Sequence, residues 1–182
     1  METTLVVLII LSMTEYCAGR KFICASPSSI APHICMEKMD GIGNRLLVVY
    51  DGHCVLCNGW VRWLLRHDRR DRLRFAASVS PAVAQLIERH ADLLEPNGNP
   101  ETVLVFRNPQ QVNEELWIRF AGELVSLREL PPPWPIVAMV LGWIPDFLGN
   151  PAYKLIARWR YHIWGRLESC PLPAPEDRAR FL

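Results

Sequence analysis

The residues best able to do chemistry in this chain are two cysteines three positions apart, Cys54 and Cys57, with Asp51 and His53 immediately before them. A thiol pair at this spacing can interconvert with a disulfide, and the thiolate is the nucleophile in that exchange. A helix start favours the thiolate through its unpaired N–H groups and the positive end of its dipole. A cysteine there can fall well below the free value of about 8.5. Cys54, nearer the helix start, is expected to be the more exposed, attacking thiol. Cys57, one turn further in, is expected to be the more buried, resolving thiol. Asp51 reads either as a turn residue accepting backbone N–H bonds or as a proton acceptor for Cys57 that tunes the pair. His53 stabilises a thiolate when protonated or relays a proton when neutral; equally it is an exposed loop histidine.

The flanking elements place the pair. Leu46-Leu47-Val48-Val49-Tyr50 is an apolar run of strand length, and Asp51-Gly52 breaks it. Past Cys57, Trp60, Val61, Leu64 and Leu65 recur on one side of a helix, with Arg62 and Arg66 on the other. The cysteines therefore sit where a helix leaves the end of a strand.

Composition narrows the function classes. The chain has 182 residues, 20 Lys plus Arg and 19 Asp plus Glu, so the balance of charge offers no argument for nucleic acid as a partner. The basic cluster Arg66, Arg69, Arg70, Arg72 and Arg74 is interleaved with Asp68 and Asp71 and reads as a solvated helix end. The six cysteines, which include Cys17, Cys24, Cys35 and Cys170, are not spaced as a secreted disulfide scaffold. A close pair before a helix fits a reducing, cytoplasmic setting.

Residues 1–44 differ from the rest. Residues 5–11 are apolar but too short to span a bilayer, no Lys or Arg precedes them, and residues 20–43 lack a clear period. This segment reads as a weak signal or anchor, a disordered extension, or sequence upstream of a true start at Met36 or Met39, the last being favoured. Residues 45–182 form the domain. Strands are expected at 45–50, 73–77, 102–106 and 115–118. Helices are expected at 54–68, from Ser80-Pro81 onward, and up to about Leu130. That order is a thioredoxin-like α/β domain with a mixed sheet flanked by helices. A helical C-terminal extension follows. Residues 136–143 are apolar almost all round and are expected to be buried, and 153–164 form a helix with Leu155, Ile156, Trp159 and Ile163 on one face. Trp134, Trp143, Trp159 and Trp164 read as core and lid packing. No stretch calls for an integral membrane span.

With Tyr50-Asp51-Gly52-x-Cys54-x-x-Cys57 and the ending Cys170-Pro171 with Arg180-Phe181-Leu182, the chain resembles the DCC family of thiol–disulfide oxidoreductases, named for an Asp-x-x-Cys-x-x-Cys pattern. The likeness also takes in His67-Asp68-Arg69-Arg70, Leu73-Arg74-Phe75, and the helix carrying Arg158 and Arg160. It implies a thioredoxin-like fold and protein-disulfide reductase activity but supplies no substrate; the expected partner is a protein or small-molecule disulfide. The exchange is expected to need no cofactor and no metal, and the likeness makes Cys170 a candidate third thiol. Thioredoxins carry a cis-proline immediately before the third strand; Pro100 is the nearest candidate, displaced by Glu101. The alternatives are a zinc-binding or redox-inactive, thioredoxin-like protein-binding module. Tetrahedral zinc would need two further ligands, from His33 and Cys35 or from Cys170 and His53.

Overall fold

The computed structural model describes residues 42–93 and 102–182. Its sheet has four strands: β1 (Leu46–Tyr50), β2 (Leu73–Ala77), β3 (Leu104–Arg107) and β4 (Glu115–Ile118), in the order β2-β1-β3-β4. β1 and β2 are parallel, with Val48 opposite Phe75. β3 runs antiparallel to β1, with Val48 opposite Val105, and β4 runs antiparallel to β3. The parallel pair needs a helical crossover, which is α1 (Val55–His67). Helix α2 (Ala84–Glu88) follows a 3-10 turn capped by Ser80, whose Oγ accepts the N–H of Ala82. Helix α3 (Arg119–Glu129) follows β4. This is the thioredoxin-like arrangement expected.

β1 is buried along its whole length because it lies between two strands and under helices on both faces. Its side chains alternate between two cores. Leu46, Val48 and Tyr50 point into one with Val61 and Leu64 of α1 and Leu124 and Leu127 of α3. Leu47 and Val49 point into the other with Val83, Leu86 and Ile87. Ile42, ahead of the first strand, is buried in this second core. Truncating Leu64 to Ala would leave a void at the junction of α1 and the sheet, at a cost of about 2–5 kcal/mol.

The basic cluster after α1 is only partly solvated. Asp68 is buried, accepts the N–H groups of Arg72 and Leu73 at 3.0 Å each, and pairs with Arg180 at 3.5 Å. Arg72 reaches Glu129 of α3 at 3.0 Å.

The C-terminal extension departs from expectation. Helix α4 (Trp134–Leu141) buries only Ala138, and Ile136, Met139, Val140 and Trp143 are exposed. Helix α4 packs on α3, with Trp134 at its start meeting Trp63 of α1, so only its inner face is shielded, however apolar the other is. Helix α5 (Asp146–Trp164) begins seven residues before the expected start and carries Pro151 within it. Proline forfeits one intrahelical bond, and docking offsets that loss. A Cβ at Gly149 would lie 2.6 Å from the Phe120 ring, so glycine lets α5 approach α3, and the Tyr153 hydroxyl accepts the Val103 N–H at 3.1 Å. Leu155, Trp159 and Ile163 face outward, and Arg160 is the buried side chain. Of the tryptophans expected inside, Trp134 packs edge-on against Trp63 with ring centroids 4.5 Å apart, whereas Trp143 and Trp159 are exposed. The tail ends in a 3-10 turn (Pro175–Arg180) and returns to the sheet, where the Leu182 N–H donates to Phe75 at 3.0 Å. No helix among the described residues is long and apolar enough to cross a membrane.

Candidate active site

Cys54 is the N-cap of α1 and not part of its first turn. Its backbone is extended, and its Sγ accepts the Cys57 N–H at 3.3 Å, a capping role usually taken by Ser or Asp. The Cys57 thiol also donates to the Cys54 sulfur. Those two hydrogen bonds, with the Arg160 guanidinium nearby, hold the Cys54 thiol below its ordinary value against burial and the Asp51 charge. The same thiol contact, with burial, pushes Cys57 well above its ordinary value.

Their exposure does not follow expectation. Cys54 is 0% exposed and Cys57 9%. The segment after α5 crosses the motif: Arg166 forms an antiparallel bridge with Cys54, and the Leu167 N–H donates to the His53 carbonyl at 2.8 Å. The His53 ring meets the Leu167 carbonyl at 3.2 Å through Nδ1. A strap that is distant in sequence therefore covers the cysteine that a free helix start would leave open.

Asp51 is 2% exposed and joins the motif to α5. Its Oδ1 accepts the His53 N–H at 2.9 Å. Its Oδ2 accepts the Tyr161 hydroxyl and lies 3.6 Å from Arg160 Nη2. Asn58 ties the turn to the helix, donating from Nδ2 to the carbonyls of Gly52 and Cys54 at 2.8 Å each. Cys170 packs against Gly52, where a Cβ would stand 2.6 Å from its Sγ, so only glycine admits it. Burial pushes the Tyr50 phenol up, and Cys170 and Cys57 push it the same way. Pro100, Cys17, Cys24, Cys35 and His33 lie outside the described residues. Among the described residues, no three His, Cys, Asp or Glu side chains are grouped so as to hold a metal ion.

Cys57 opens onto an apolar cleft of about 180 Å3 between α1, α3 and α5, walled by Leu56, Trp60, Phe120 and Ile156. Glu123 lines the same cleft. The residue is partly exposed, but Oε2 is sealed from solvent without a hydrogen-bond partner, and burial pushes its carboxyl up to about 8. The Trp60 indole N–H draws that value down slightly but stops short of hydrogen-bond geometry. A larger cavity of about 520 Å3, between α1 and the tail, is lined by neither sulfur.

Sequence reasoning gave no role to Arg160, Tyr161, Asn58 or Glu123. Arg160 was legible only as part of the family likeness, on the helix that also carries Arg158. Glu123 carried no signal, because an isolated glutamate in an amphipathic helix reads as solvated.

A mixed sheet in the order β2-β1-β3-β4, with an interacting thiol pair where a helix leaves β1, defines a thioredoxin-like protein of the C-x-x-C class. Residues 48–166 match the DCC1-like thiol-disulfide oxidoreductase family, and the chain belongs to it. It is 32% identical to a chloroplastic DCC family protein of Arabidopsis thaliana over 70% of each chain. It is 29% identical to the uncharacterised protein YuxK of Bacillus subtilis, over 78% of this chain and 96% of that one. No solved structure matches at comparable significance.

Proposed function

We propose that the protein reduces disulfides of protein or small-molecule substrates in a reducing, cytoplasm-like compartment, with Cys54 attacking and Cys57 resolving. The observation that carries this reading is the Cys54 sulfur capping the helix start, where it accepts the Cys57 N–H at 3.3 Å, and the two thiols are pushed in opposite directions to match. The Cys54 thiolate attacks a substrate disulfide, and one substrate sulfur leaves and takes up a proton. Cys57, once deprotonated, attacks Cys54 Sγ and releases the second substrate thiol. Two electrons have then passed to the substrate, and Cys54–Cys57 is a disulfide that an external dithiol must reduce. Asp51 acts as a positioning residue, since its oxygens are engaged by His53, Tyr161 and Arg160. His53 is held against the strap, and Cys170 stands in reserve beside Gly52.

Redox titration against glutathione tests the activity. The expected result is a reversible two-electron couple that needs both cysteines, with a midpoint between about −270 and −120 mV. Failure of the reduced protein to exchange with any disulfide would favour a redox-inactive binding module.

A further inference from the structure

The outward faces of α4 and α5 are unusual for a helical pair at a protein surface. Nine of the twelve exposed large apolar side chains among the described residues lie between positions 136 and 163. On α4 they recur as Ile136, Met139, Val140 and then Trp143, the spacing of a single helix face opposite buried Ala138. On α5 they recur as Leu148, Leu155, Trp159 and Ile163, while the inward face carries Arg160 and Tyr153. The connection between the helices continues the apolar surface, with Trp143 84% and Phe147 72% exposed. An apolar surface of this extent marks an interaction site.

Charge identifies the occupant. Lys154, Arg158 and His162, all exposed, recur every four residues beside Leu155, Trp159 and Ile163. Asp146 opens α5, and no acidic residue occurs from 147 to 167. Helix α4 is uncharged. A second copy docked two-fold on this face would bring rows of like charge together. An anionic lipid surface complements them, and Trp, Phe and Leu beside Lys and Arg is the composition of a helix lying in a membrane interface.

We propose that the outward faces of α4 and α5 dock the protein flat onto an anionic lipid bilayer, with the apolar side chains in the interface and Lys154 and Arg158 among the headgroups. This inference stands independently of the redox chemistry. The test is co-sedimentation of the full chain with phosphatidylcholine vesicles, with and without phosphatidylglycerol. The expected result is binding that requires phosphatidylglycerol and weakens with salt. Trp143→Ser with Phe147→Ser, and separately Lys154→Glu with Arg158→Glu, should each lower partitioning by about tenfold or more. Circular dichroism and glutathione exchange should be unchanged in both variants. No vesicle binding, or binding that neither pair of substitutions weakens, would overturn the proposal. So would a dimer in solution that these substitutions dissociate without any lipid effect.

Discussion

Arg160 is the positive charge that acts on both sulfurs, and it lowers the pKa of each. Arg160→Met should therefore raise the Cys54 pKa. The measurement is the midpoint of iodoacetamide alkylation against pH, with Arg160→Lys expected to recover part of the shift. An unmoved midpoint in a folded Met variant would remove Arg160 from the account. The Met variant also strips an ion-pair partner from buried Asp51, at a cost of about 3 kcal/mol or more, so the Lys variant keeps the test readable. Glu123 gives a pH signature of the opposite kind. Its folded value, about 8, lies above its ordinary value of 4.5. Between those values the folded state holds the proton that the unfolded state has lost, so stability falls as pH rises through that window. Glu123→Gln should unfold with a Tm that gains on the native chain by several degrees between about pH 5 and pH 9. A constant difference across that range would mean that the carboxyl is not proton-holding in the fold.

At the scale of elements, the strap decides access. One backbone hydrogen bond from Leu167 to His53 and the bridge at Arg166 lie over Cys54, whose sulfur meets the substrate in the proposed exchange. Leu167→Pro deletes that N–H. Loss of one such bond, net about 0.5–1.5 kcal/mol, should speed alkylation of Cys54 about three- to tenfold at fixed pH. An unchanged rate would show that the strap does not gate the thiol. Neither the strap nor the outward-facing helices were legible in the sequence, for physical reasons. Apolar periodicity reports that a face is apolar and does not report what covers it, so residues 136–143 read as buried. Pro151 reads locally as a break, and only the fit of Gly149 on Phe120 and the Tyr153 hydrogen bond carries the helix through it. The same blindness applies at Cys54, whose cover arrives from more than a hundred residues away in the chain.

Across the whole molecule, the strand–helix order and the thiol pair were legible because both are local signals. The apolar run 46–50, the Ser80-Pro81 helix start and the β-branched stretch before Arg107 each specify their own element, and the right-handed crossover leaves few ways to join them. The site's electrostatics was not legible, because Asp51 meets Tyr161 and Arg160 only when α5 folds back over α1. The central claim is that this long-range arrangement makes Cys54 the nucleophile and Cys57 the resolver. Trapping tests it most directly. Cys57→Ser, offered a protein disulfide substrate, should accumulate a mixed disulfide on Cys54, reversible by dithiothreitol, because exchange stalls without the second thiol. Cys54→Ser should accumulate none. An adduct on Cys57 in the Cys54→Ser protein, with none on Cys54 in the other, would contradict the account.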